Sequence, residues 1–246
     1  MTHENGIDLA VIAAHPDDAE LNVGGILART KRLGHRTAVI DLTRGELSSR
    51  GTLESRATET ARATEILGLD ARVQLELPDG EVRDTHEARE RLVRAIRDLR
   101  PKVLLAPWRD DLHPDHAGAG ELAWRALYPS GITKFAGGEG APWRPRLFGY
   151  YPGHIYVTPA VIVDVTEDWD TKIEAGRAYR TQFDSAVQPE GPPTKISQPG
   201  FMASVEGRAR EFGNLVGTTF GEGVVWRELP PLVDDLVAMA TSTGLY

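Results

Sequence analysis

No cysteine occurs anywhere in this 246-residue chain. That absence excludes disulfides, thiolate metal ligands and cysteine nucleophiles together, so any zinc must be held by nitrogen and oxygen. Positive charge is also scarce: 28 Lys and Arg stand against 36 Asp and Glu, a net charge of −8. A broad grip on nucleic acid or anionic lipid needs a basic surface, so neither is an expected partner and a small molecule is favoured. Apolar runs long enough to cross a bilayer are missing, and Met1-Thr-His-Glu-Asn-Gly6 lacks the basic start and apolar stretch of a secretory signal. Cytoplasmic residence is the expectation.

What is present, 41% hydrophobic and 26% charged residues, describes an ordinary globule. Leu9-Ala-Val-Ile-Ala-Ala14 is short, apolar and bounded, as a strand buried on both faces would be. Helical periodicity follows over residues 19–34, then a strand around 38–40, a polar loop over 44–52, a helix over 53–67 and a strand over 73–77. An amphipathic helix over 85–99, with Leu92, Val93, Ile96 and Leu99 as its buried stripe, stops at Pro101 before the strand 103–106. Alternation of this kind predicts an α/β, Rossmann-like three-layer sandwich: a mostly parallel sheet with helices on both faces. No linker divides the chain. One domain is expected over residues 1–246, with a core over about 7–128 and a C-terminal part over about 146–246 that completes the sheet, the cleft and the oligomer contacts. In that part, strands are predicted over 147–151 and 160–165, helices over 167–183, 201–215 and 231–240, and a short extended piece over 224–226. The proline-rich stretch 184–199 is expected to be an irregular lid or a subunit contact.

The chemistry lies in two clusters, each directly after a buried strand. His15-Pro-Asp-Asp18 follows the first strand and His113-Pro-Asp-His116 the fourth. Ligands in open α/β sheets bind beyond the carboxyl ends of the strands, beside the point where strand order reverses, and strands one and four flank that point in a Rossmann-like order. His15, Asp18 and His116 would then supply two imidazoles and a carboxylate, a set that suits zinc and leaves positions open for water and substrate. Asp17 is the candidate general base, and His113 the group that stabilises an oxyanion or protonates a leaving amine. Asp115 is placed to hold His113 charged, and Arg56 to clamp substrate oxygens.

Taken singly, these residues have plainer roles. An Asp before a helix is usually a cap, His-x-x-His around a proline is a weak signal, and Arg56 alone reads as a solvated helix residue. Their joint occurrence reverses that preference. His3, His35, His86 and His154 have no such company and are assigned no role, although His154 lies in an aromatic loop that borders the cleft. A nucleotide-binding Rossmann protein would show G-x-G-x-x-G where this chain places carboxylates, which repel a pyrophosphate. A purely structural zinc site is disfavoured because such sites are closed by four protein ligands.

Ala14-His-Pro-Asp-Asp-Ala-Glu20 with Gly24-Gly25, and then His113-Pro-Asp-His116, resemble the GlcNAc-phosphatidylinositol de-N-acetylase (LmbE-like) family of zinc-dependent deacetylases. The resemblance implies a Rossmann-like fold, zinc or another divalent ion on His15, Asp18 and His116, Asp17 as general base, and hydrolysis of an N-acetyl group from a glucosamine derivative. Leu42-Thr-Arg-Gly-Glu46, Gly51-Thr-Leu-Glu-Ser-Arg56, Leu77-Pro-Asp-Gly80, Arg177-Ala-Tyr-Arg-Thr-Gln-Phe183 and Glu206-Gly-Arg-Ala-Arg210 are similar to the bacillithiol-pathway branch that deacetylates N-acetylglucosaminyl-malate. That likeness implies a substrate contact for Arg56 and a homo-oligomer, commonly a hexamer. Asn22, Leu112 and Phe220 depart from the branch pattern, which usually has glycine, arginine and tyrosine there; Arg109 is the expected stand-in for the missing arginine as partner of a substrate carboxylate.

Overall fold

The computed structural model describes residues 6–184, 186–187 and 191–226. Apolar runs too short for helices become buried strands at its centre. Every residue of β1 (Leu9–Ala13) is buried, and its alternate side chains serve opposite faces of the sheet. Ala10 and Ile12 join one core with Leu92, Ile96, Leu122 and Ala123, whereas Leu9, Val11 and Ala13 join the other with Ile26, Leu27, Leu67 and Ala175. β1 pairs in parallel with β2 (Thr37–Asp41) and with β4 (Val103–Pro107). β3 (Ala71–Gln74) and β5 (Leu147–Tyr151) extend the two sides, also in parallel, giving the order β3-β2-β1-β4-β5. The reversal of strand order therefore falls between β1 and β4, and the loops leaving these two strands are neighbours.

Helices α3 (His86–Leu99) and α4 (Pro114–Ser130) cover one face, and α1 (Asp18–Arg32), α2 (Leu53–Leu67) and α5 (Trp169–Arg177) the other. Local chemistry sets their ends. Thr52 accepts the Ser55 N–H and Thr85 the Ala88 N–H as N-caps, and Gly68 closes α2 in a left-handed conformation. Carbonyls at the end of α4 and in the loop that follows it are gathered by the buried Arg97 of α3. Its guanidinium donates to the carbonyls of Ser130 (3.1 Å), Phe135 (3.0 Å), Glu139 (2.6 Å) and Ile132 (2.5 Å). Replacing Arg97 by Met keeps the aliphatic stem and strands those acceptors, so urea unfolding is expected to show a loss on the order of 3 kcal/mol.

The C-terminal part departs from expectation. Its first strand, β5, completes the main sheet, but β6 (Val161–Asp164) and β7 (Gly221–Val224) form a separate antiparallel pair, joined to β5 among the described residues by the bridge between Tyr150 and Val225. The single helix expected over 167–183 is broken at Ala178 and Tyr179 into α5 and the short α6 (Arg180–Phe183). Helix α7 (Phe201–Leu215) forms as expected. The helix anticipated over 231–240 lies outside the described residues. Among the described residues, no helix is long and apolar enough to cross a membrane.

Helix α1 is the element that needs the C-terminal part. It is interrupted at Val23 (φ −139°, ψ 22°), which frees the amides at the start of its second half. Gly25 N–H (3.1 Å) and Ile26 N–H (2.6 Å) are taken up by the carboxylate of Glu222 on β7, itself neutralised by the buried Lys172 of α5. Gly25 is required here, because a Cβ would lie 2.7 Å from the Cβ of Val165.

Candidate active site

The chain turns sharply as it leaves β1. Asp17 adopts φ 111° and ψ −26°, a positive-φ conformation that Asp and Asn tolerate better than other side-chain-bearing residues. This turn sends consecutive carboxylates in different directions. Asp18 folds back to accept the His15 backbone N–H (2.8 Å) and stands between two imidazoles: its Oδ2 lies 3.4 Å from His15 Nδ1 and its Oδ1 lies 3.1 Å from His116 Nε2. The other nitrogen of His15, Nε2, is turned to Asp115 Oδ2 at 3.0 Å and Asp79 Oδ1 at 3.1 Å. His15 Nδ1 is thereby aimed at the same space as His116 Nε2.

The charges in that space compensate one another. Burial opposes a positive His15, yet hydrogen bonds to Asp115, Asp18 and Asp79 hold its pKa well above the ordinary value. Burial likewise opposes a charged His116, and Asp18 raises it. Burial also works against ionised Asp18, but His116 and His15 keep its pKa well below normal. Donor atoms of His15, Asp18 and His116 lie within 4.8 Å of one another. Two imidazole nitrogens and a carboxylate oxygen gathered this closely are a donor set that suits a divalent ion such as zinc. The carboxylates behind His15 are the outer partners that orient a ligating imidazole.

Asp17, next to this triangle, is engaged by Arg56. Its Oδ2 accepts from Arg56 at 3.1 Å, and burial, helped by repulsion from Asp18 and opposed by Arg56, pushes its pKa up to about 6. Arg56 also donates to the Pro16 carbonyl and lies over the Tyr179 ring, 5.4 Å from its centroid. The guanidinium expected to clamp substrate oxygens is buried here and holds Asp17 and its loop. Asp115 needs a correction. Its carboxylate hydrogen-bonds His15 and accepts the amides of Gly80 and Val82 rather than bonding His113, although it lies within 4.8 Å of a His113 nitrogen. Its backbone N–H donates to His113 Nδ1 at 3.2 Å. With Nδ1 an acceptor, neutral His113 carries its proton on Nε2; burial and the neighbouring His116 and His15 lower its pKa and favour that neutral form. Arg109 is drawn over α4 to Glu121 at 3.5 Å, and the adjacent Leu112 is 73% exposed.

Asp79, Asp111 and His154 belong to the same cluster and had no role on sequence grounds. Pro78-Asp79-Gly80 reads as a turn, and nothing in one dimension places Asp79 on His15. The ring of His154 lies 4.8 Å from that of His116 and 5.9 Å from that of His113, centroid to centroid.

The chain is similar to several known proteins. The model of the PIG-L family, GlcNAc-PI de-N-acetylases, matches residues 10–127, the stretch running from β1 through most of α4. The crystal structure of the conserved protein TT1542 from Thermus thermophilus is 41% identical, covers 94% of this chain and 98% of its own, and superposes with a TM-score of 0.82. The diacetylchitobiose deacetylase of Thermococcus kodakarensis is 28% identical over 229 residues, 87% of this chain and 80% of that protein. At the level of fold, the N,N'-diacetylchitobiose deacetylase of Pyrococcus horikoshii superposes with a TM-score of 0.75 at 23% identity, over 88% of this chain and 82% of that one. The chain belongs to the PIG-L (LmbE-like) family.

Proposed function

We propose that the protein hydrolyses the N-acetyl group of an N-acetylglucosamine derivative to acetate and a free amine, with zinc or another divalent ion held by His15, Asp18 and His116. The observation that carries this reading is the triangle of donors at the β1 and β4 ends, with an unliganded carboxylate, Asp17, beside it. A divalent cation bound there would polarise the acetamide carbonyl and acidify a water.

The chain's own groups do the rest. Asp17, held by Arg56, accepts a proton from the attacking water and returns it to the amine as the C–N bond breaks. His113, with its proton on Nε2, donates a hydrogen bond to the carbonyl oxygen as negative charge builds there. Asp115 and Asp79 keep the His15 ring in one orientation.

The finer substrate, N-acetylglucosaminyl-malate, rests on the loop and helix motifs 42–46, 51–56 and 206–210. The curated deacetylase relative makes diacetylchitobiose the natural comparison. Both are incubated with the purified protein, alongside simple GlcNAc glycosides, and free amine is assayed with zinc, after chelation, and after zinc is restored. Amine release that chelation abolishes and zinc restores is the expected result. Silence on every substrate in the presence of metal overturns the proposal.

A further inference from the structure

His154 carries more structure than a loop residue needs. Its ring Nδ1 lies 2.9 Å from Asp111 Oδ1, and its backbone N–H donates to Asp111 Oδ2 at 2.8 Å. The same carboxylate, wholly buried, accepts the backbone N–H of His113 at 2.9 Å. One side chain therefore sets both histidines, whose rings lie nearly parallel at an interplanar angle of 25°. The preceding residue must be glycine, because a Cβ at Gly153 would fall 2.5 Å from Asp111 Oδ2 and 3.4 Å from His116 Nδ1. Arg208 of α7 donates to the Gly153 carbonyl and to Asn22 Oδ1 (2.7 Å), and Asn22 Nδ2 donates to the Asp18 carbonyl (2.8 Å). The loop bearing His154 is thus tied to the helix bearing Asp18.

These ties leave one part of the ring uncommitted. The Asp111 carboxylate accepts the amides of His113 and His154 and meets the His154 ring. A carboxylate that takes up these N–H groups is an acceptor, so in the neutral imidazole the proton faces it from Nδ1 and Nε2 offers a lone pair. Asp111 is sealed while the His154 side chain is 26% exposed, so its open edge is the one away from Asp111.

We propose that His154 is a substrate-binding residue, its Nε2 accepting a hydrogen bond from the sugar hydroxyl adjacent to the acetamido group. This inference rests on the deacetylase reading above. The acetamido carbonyl must sit at the His15, Asp18 and His116 triangle, and in a glycoside the neighbouring free hydroxyl is that on C3. A ring packed beside His116 is positioned to meet it.

The experiment compares zinc-loaded wild type with His154→Phe, which keeps the ring and removes both nitrogens, and with His154→Gln, which keeps an acceptor. Substrates are a GlcNAc glycoside and its 3-deoxy analogue, and binding of the glucosamine glycoside product is followed by calorimetry. The expected result is about a tenfold rise in KM and in product Kd for His154→Phe on the 3-hydroxy ligands. His154→Gln should recover part of that loss, and on the 3-deoxy analogue wild type and His154→Phe should be equal. Equal losses on both substrates, or no loss, overturn the proposal. So does a fall in bound zinc per chain in His154→Phe, which would make His154 a metal ligand beside Asp111 and His116. A wild type that deacetylates no GlcNAc compound and binds no product overturns the deacetylase reading as well, whereas an active wild type matched by His154→Phe overturns this inference alone.

Discussion

Replacing Asp17 by Asn is expected to lower kcat about 1,000-fold while leaving zinc content unchanged. Asn is nearly isosteric, tolerates the positive φ of this position as Asp does, and still accepts from Arg56, so the loop and the neighbouring ligands keep their places. What it loses is the ability to take a proton. The acid limb of the pH profile supplies the second readout. The Asp17 pKa is raised to about 6, so the basic form predominates above that pH, and wild-type kcat/KM should fall as pH drops through it. Residual activity in Asp17→Asn should lack that limb. Near-normal turnover with the limb retained would remove Asp17 from the base role. Metal analysis by plasma emission on the same samples separates this result from simple loss of the ion.

Glu222→Ala is expected to produce the largest loss of stability, roughly 3–5 kcal/mol in urea unfolding. The substitution leaves Lys172 as a buried charge without its partner and strands the amides of Gly25 and Ile26. Burial already lowers the Lys172 pKa despite Glu222, so the lysine is expected to lose its proton in the variant at a lower pH than in wild type. Glu222→Gln retains an acceptor for the amides and should fall between the two. Because α1 presents Asp18 at one end and rests on Glu222 past the break at Val23, zinc affinity should weaken in parallel with stability. A variant as stable as wild type would show that the interruption of α1 is satisfied in another way.

The parallel alternation of strands and helices, and the α2 boundaries at residues 53–67, were legible from local signals: apolar period and terminating Gly. These signals act between residues a few positions apart, and a linear text preserves them. Both histidine-aspartate clusters of the candidate site were equally legible, because each is contiguous and each follows a buried strand. The neighbouring positions of β1 and β4 then brought His15 and Asp18 to His116. Separate placement of the 160–165 and 221–224 strands was not legible, since a short apolar run does not state which sheet will accept it.

Roles depending on direction were also hidden. Arg56 turned inward to Asp17, the Asp115 carboxylate turned to His15, and Arg109 turned to Glu121. Residue types and spacing by themselves determined that this chain builds an α/β sheet with a nitrogen and oxygen ligand set at its strand ends. Only the tertiary structure decided which carboxylate backs which imidazole, and that Asp79, Asp111 and His154 join them. The physical reason is that a charged side chain is oriented by the partners that compensate its burial, and here those partners come from distant parts of the chain.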